Sequence, residues 1–206
     1  PDFETLENMD LGRVKLMWTN YPNMPTGANA SVELYEKLVA FGRKHGIIIC
    51  NDNPYSFILN EHPLSILSIP GAKEICIEMN SMSKAHNIDS GQLKPMQYAA
   101  VEALSAKKEW YDNMNRVYRS RRDLAGQIMR TLGCEYDENQ VGMFLWGRIP
   151  DSAESGEAIA NKVLYEANVF LTPGFIFGSR GERYIRISLC CKNETLEEAL
   201  KRIENL

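Results

Sequence analysis

The sequence of 206 residues is long enough for one full domain, or for one domain with a smaller companion. Its 44% hydrophobic and 24% charged residues describe an ordinary globular chain rather than a disordered one. A net charge of -4 argues against a nucleic-acid surface, no apolar run is long enough to span a membrane, and no signal-peptide pattern opens the chain.

In chain order, Val14 to Asn20 reads as a strand, followed by a turn rich in Pro and Gly. Ser31 to Gly46 reads as a helix, because Leu34, Leu38 and Phe41 repeat at helical spacing and Gly46 supplies a stop. Ile47-Ile48-Ile49-Cys50 is a short continuous apolar run, as expected of a parallel strand buried on both faces. Ile75, Ile77 and Met79 mark a similar strand that ends in Asn80-Ser81. This alternation predicts an α/β domain over residues 1–108.

After Pro95 a long helical stretch is expected, with Trp110, Met114, Val117, Leu124 and Ile128 on one face and Gly133 just beyond its end. Val141 to Ile149 then reads as a strand, Gly156 to Asn168 as a helix and Tyr184 to Leu189 as a strand. A capping box, Thr195 with Glu198, predicts the start of the last helix. Residues 109–206 thus read as a smaller α+β domain.

The five cysteines, Cys50, Cys76, Cys134, Cys190 and Cys191, form no CxxC pair. Cys50, Cys76 and Cys190 fall in apolar strand-like runs, so buried reduced thiols are expected. None of the three histidines has metal-ligand spacing, which leaves no metal site to propose.

Ligands in open α/β sheets sit beyond the C-terminal ends of the strands. The residues there are Asn20 to Gly27 after the first strand, Asp52 and Tyr55 after the second, and Ser81-Met82-Ser83-Lys84 after the third. Downstream come Pro173-Gly174-Phe175-Ile176-Phe177-Gly178 and Tyr184-Ile185-Arg186-Ile187-Ser188. Singly, each has a bland reading as a turn, a cap or a surface charge. In this order they resemble the class I/II aminotransferases, a family with Asn-Pro-x-Gly, Asp-x-x-Tyr, Ser-x-Ser-Lys and a late strand arginine.

The resemblance runs along the whole chain. It implies fold type I of the pyridoxal-5′-phosphate (PLP)-dependent transferases: part of the large parallel or mixed-sheet domain plus the smaller C-terminal α+β domain, together the C-terminal half of a subunit. Lys84 would form the Schiff base with PLP, and a free amine at its reference pKa is a weak nucleophile, so the site must depress that pKa. Asp52 would face the pyridine nitrogen, Tyr55 the phenolic oxygen, and Ser81 and Ser83 the phosphate region. Arg186, flanked by Ile185 and Ile187 and so facing away from both, would hold the substrate α-carboxylate with its planar fork. Trp146 reads as core of the smaller domain or as a residue on the substrate side.

The implied activity is that of a cytoplasmic aminotransferase exchanging amino groups between an amino acid and a 2-oxo acid, as a homodimer with shared active sites and without nucleic-acid or membrane partners. A PLP-dependent C–S lyase or other elimination enzyme on the same scaffold, and the sensor domain of a transcriptional regulator, are the alternatives.

Three departures stand out. Met24 occupies the place of the family's asparagine, so either Asn23 or a water substitutes or the contact is missing. No arginine follows Lys84 until Arg116, where the family clamps the phosphate soon after the lysine, which implies a segment missing between about Asn87 and Ile88. The half of the subunit that would lie upstream supplies further cofactor contacts, so these residues alone are expected to leave apolar strand edges exposed.

Overall fold

The computed structural model describes residues 1–86, 88 and 94–206. A short helix α1 (Phe3–Glu7) leads to strand β1 (Leu16–Asn20). Helix α2 (Val32–His45) crosses over to strand β2 (Ile48–Asp52), and β3 (Cys76–Met79) follows a long connection. Ser31 Oγ accepts from Leu34 N at 3.1 Å to cap α2, and Gly46 closes it in the left-handed conformation at φ 64°. The three strands form a parallel sheet in the order β1-β2-β3, with Asn20, Asp52 and Met79 level at its C-terminal edge.

One face of this sheet packs under α2, where Tyr35, Leu38, Phe41, Ile47, Ile49 and Ile66 form the core. On the other face Leu16, Trp18, Ile48, Ile77 and Met79 stand exposed around a buried Cys50. The expectation of a strand buried on both faces is therefore corrected at Ile48. Parallel sheets are normally covered on both sides, and no other described element covers this one. The second strand also runs further than the apolar run suggested, because Asn51 and Asp52 keep pairing with β3.

Helix α3 (Met82–Ala85) carries Lys84 just past β3. The long helix expected after Pro95 is two helices, α4 (Lys94–Leu104) and α5 (Lys108–Thr131). The break falls at residues 105–107, where Ser105 Oγ donates back to Val101 O and Lys107 adopts extended backbone. Trp110 and Val117, placed on a core face by periodicity, are exposed, whereas Ile128 is buried.

The second sheet is antiparallel, in the order β4-β6-β5, from β4 (Phe144–Arg148), β5 (Thr172–Pro173) and β6 (Tyr184–Ser188). β4 is shorter than its sequence signal, because Gly142 at φ 90° donates its N–H to Ile58 O rather than to the ladder. Helix α6 (Gly156–Ala167) ends on Asn168 in the left-handed conformation, and α7 (Asn193–Ile203) closes the chain. Ile128, Met129, Leu145, Val163, Ile185 and Ile187 fill the space between this sheet and the helices. The capping box is not used: α7 starts before Thr195, without a side-chain cap, and Glu198 pairs with Arg202 instead. All cysteines are free; Cys50, Cys76 and Cys134 are buried, but Cys190 is exposed because it lies past the end of β6. Among the described residues no helix is long and apolar enough to cross a membrane, and no group of His, Cys, Asp and Glu could hold a metal ion.

Hydrogen bonds tie the two sheets together. Val141 N donates to Gly27 O at 2.8 Å, and a Cβ on Gly27 (φ 68°) would meet Gln140 Cβ at 2.8 Å, so only glycine fits this crossing. Asn115 of α5, nearly buried, accepts from Leu59 N at 2.8 Å and donates to Phe57 O at 3.1 Å, which pins the loop after Tyr55.

Candidate functional site

The C-terminal edge of the parallel sheet meets the outward face of the antiparallel sheet, and the expected residues gather along that seam. Asp52 ends β2 on the exposed face of the sheet. Partial burial raises its carboxyl above the ordinary aspartate range, and no hydrogen bond or ion pair reaches the carboxylate among the described residues. Tyr55 follows in the next turn, with its ring edge-on to Phe144 at 6.3 Å. Burial raises its hydroxyl, the Asp52 charge pushes in the same direction, and the Arg186 charge opposes both.

Arg186 stands in the middle of β6, level with Trp146 of β4 and Thr172 of β5. As the flanking isoleucines suggested, Ile185 and Ile187 are buried on one face while the arginine points to the other. Its guanidinium lies over Phe144 at 4.1 Å and Phe177 at 4.5 Å. Burial lowers its pKa, and Nε is buried without a partner among the described residues. Trp146 is buried beside it, stacked on Tyr184 at 5.1 Å and edge-on to Phe177.

Lys84 lies on the same side of the molecule but in a neighbouring recess. Because Met79 is level with Asp52, the chain reaches Ser81 and Lys84 just beyond that level. Lys84 is exposed and lines a cavity of about 260 Å³ with His86, Trp110, Tyr118 and Arg121. Among the described residues it makes no hydrogen bond or ion pair with Asp52 or Tyr55. Ser81 Oγ caps α3 by accepting from Ser83 N at 3.3 Å. The structure thus brings Asp52, Tyr55 and Arg186 together and leaves Lys84, Ser81 and Ser83 beside them.

The question raised by Met24 is resolved in part. Asn23 is turned into its own loop, where its Oδ1 accepts from Thr26 Oγ1 at 2.7 Å. It does not stand in for the family's asparagine. Sequence reasoning placed Asn20 in the candidate stretch without giving it a role; its side chain accepts from Met24 N at 2.8 Å and donates to Asp52 O at 2.9 Å. Sequence reasoning missed His86, stacked on Trp110 at 5.6 Å with Nε2 3.0 Å from the Tyr111 hydroxyl. A polar residue closing an apolar strand was the available signal for Asn20; nothing in the sequence marked His86. Asn87, on one side of the expected junction, lies outside the described residues.

Comparison with known proteins gives a consistent result. A model of the family described as aminotransferase class I and II matches residues 1–91 and 90–203. The LL-diaminopimelate aminotransferase of Aquifex aeolicus is 34% identical over 233 aligned positions, covering 100% of this chain and 60% of the relative. That of Halothermothrix orenii is 35% identical, with 100% and 59% covered. Among solved structures, BacF of Bacillus subtilis superposes with a TM-score of 0.88 at 32% identity, over 100% of this chain and 59% of that one. The aromatic aminotransferase of Pyrococcus horikoshii gives 0.86 at 26% identity, over 100% and 62%. The chain spans about 60% of the length of the curated relatives it matches. An alignment of 233 positions also exceeds the 206 residues by 27, and the family match breaks at residues 90–91, close to the junction.

Proposed function

Because this chain belongs to the aminotransferase class I and II family, we propose that it serves a PLP-dependent aminotransferase, moving an amino group between an amino acid and a 2-oxo acid. The observation that carries this reading is the seam itself: a half-buried carboxylate, a buried phenol and an arginine whose Nε has no partner among the described residues converge there.

That donor set fits the family's cofactor, which needs an acid for its ring nitrogen, a donor for its phenolic oxygen and an amine to hold it. When bound, PLP draws electrons away from the substrate α-carbon. Asp52 would supply the carboxylate that keeps a proton on the ring nitrogen, and among the described residues no ion pair occupies it. The Tyr55 hydroxyl, raised well into its neutral form, donates to the phenolic oxygen. Lys84 would be the amine that holds the cofactor, and the same amine would serve as the base for the substrate α-carbon proton. Arg186, whose guanidinium lies over the rings of Phe144 and Phe177, would hold the α-carboxylate. The hydroxyls of Ser81 and Ser83 serve the phosphate, for which the stretch up to Arg116 offers no arginine.

The cytoplasmic homodimer implied by the resemblance belongs to the same proposal. An absorption spectrum of the protein with PLP, recorded before and after adding amino acids, tests the reading. A cofactor band that changes with one of them, with formation of a new amino acid from an added 2-oxo acid, is expected. Ammonia and a 2-oxo acid as products, with no new amino acid, would point to elimination instead.

A further inference from the structure

Two adjacent thiols follow the strand that carries Arg186, and the chain sets them in different surroundings. Along β6 and just past it, Ile185, Ile187 and Leu189 are buried, while Arg186 and Ser188 take the other face. Cys190 continues that alternation and is exposed, and Cys191 is half-buried. The other three cysteines, Cys50, Cys76 and Cys134, lie buried in the cores.

The chain is held firmly on the upstream side of the pair. Leu189 N donates to Met143 O at 2.9 Å, and Leu189 O accepts from Arg121 Nη1 at 3.1 Å. Arg121 also lines the recess of Lys84, so the peptide that leads into Cys190 is fixed beside that recess. Cys190 N donates to Ser188 Oγ at 3.3 Å, and Cys191 Sγ donates weakly to Ser188 O at 3.8 Å. Ser188 thus gathers both cysteines into one turn. Cys191 lines a second cavity of about 690 Å³ with Ile187, Leu196 and Ala199.

Adjacent residues have α-carbons about 3.8 Å apart, closer than the roughly 4.4–6.8 Å of most disulfides, so a bond between them is strained and readily reduced. Strained or exposed disulfides are the labile ones. We propose that Cys190 and Cys191 form a reversible modification site for small-molecule disulfides of the glutathione class. The exposed Cys190 thiolate attacks one sulfur of the small disulfide, forming a mixed disulfide and releasing one thiol. The Cys191 thiolate then attacks the Cys190 sulfur, the Cys190–Cys191 bond forms, and the second small thiol leaves. Two cysteine thiols are oxidised, one small disulfide is reduced to two thiols, and the two cysteine protons pass to those thiols. Once oxidised, Cys191 has no S–H left to donate to Ser188 O. Excess small thiol reverses both steps.

The test uses the whole chain, reduced, freed of reductant and incubated in native buffer at neutral pH with glutathione disulfide. Remaining thiols are blocked with iodoacetamide, and trypsin releases the peptide Ile187–Lys192, which holds Cys190 and Cys191 and no other cysteine. In the unsubstituted protein this peptide loses two hydrogens, carries neither glutathione nor alkyl group, and accepts two alkyl groups after dithiothreitol. Cys191→Ser stops at the mixed disulfide and keeps one glutathione on Cys190. In Cys190→Ser only the half-buried Cys191 remains at the site, and it reacts about tenfold more slowly, because access governs the exchange.

A glutathione adduct that persists on Cys190 in the unsubstituted protein removes the resolving role of Cys191 and overturns the proposal. Equal rates in Cys190→Ser and Cys191→Ser overturn it as well, as do disulfides formed only between separate molecules or a peptide that stays fully alkylated. The readout needs no bound PLP. An absent cofactor band would therefore refute the proposed function alone, and the thiol site stands or falls on its own masses.

Discussion

Asn51 lies fully buried beneath the seam, one residue before Asp52. Its Oδ1 accepts from Thr19 Oγ1 at 3.0 Å, and its Nδ2 donates to the Tyr35 hydroxyl at 3.1 Å and to Tyr21 O at 3.3 Å. It therefore joins β1, α2 and the turn after β1. Asn51→Leu keeps the volume but leaves the Thr19 and Tyr35 hydroxyls without a partner in a dry core. Each orphaned group costs about 1–3 kcal/mol, so a loss of about 3 kcal/mol is expected after the apolar gain of leucine. Urea unfolding followed by circular dichroism measures it. Adding Tyr35→Phe removes one orphan and should restore about 1 kcal/mol in the double variant. A single-variant loss below about 1 kcal/mol, or no recovery in the double variant, would refute the network's role.

Three further outcomes are expected. Burial holds the Asp52 carboxyl above its ordinary 3.8, so the folded chain favours its protonated form; stability from this group is present below that value and lost as pH rises through the raised one. Asp52→Asn should thus raise the melting temperature of the cofactor-free protein at pH 7, with the gain fading toward pH 3; an equal gain at both pH values contradicts this. Asn115→Leu strands Leu59 N and Phe57 O and should cost about 2 kcal/mol, read by thermal unfolding, while hydrogen exchange in the loop around Tyr55 speeds up. A thiol reagent at neutral pH should label exposed Cys190 rapidly and leave Cys134 untouched until unfolding, since burial pushes the Cys134 thiol up to about 11; rapid labelling of Cys134 would show that its core opens.

Much of this fold could be read from local pattern. Ser31 and Gly46 bracket α2 because a hydroxyl acceptor and a left-handed glycine meet the needs of helix ends anywhere. Arg186 between two isoleucines announced its own face, because side chains alternate along a strand. The failures are equally physical. Thr195 and Glu198 have the spacing of a capping box, but Asn193 begins α7 and bonds the Ser120 hydroxyl, so tertiary contact moved the helix start. The break at Ser105 was hidden inside an uninterrupted run of helix formers. The Met24–Arg186 contact depends on how two sheets meet, and the Asn20 bridge on how the turn after β1 folds back over the strand ends, which no periodicity encodes. Asn51 was the missed clue: a buried amide in an apolar strand signals a network that must satisfy it.

The amine at residue 84 decides the matter most directly. Borohydride reduction of the protein with bound PLP, followed by digestion and mass mapping, should place the fixed cofactor on the peptide containing Lys84 and nowhere in Lys84→Ala. A cofactor fixed on a different lysine, or one that persists undiminished in that variant, would contradict the site described here.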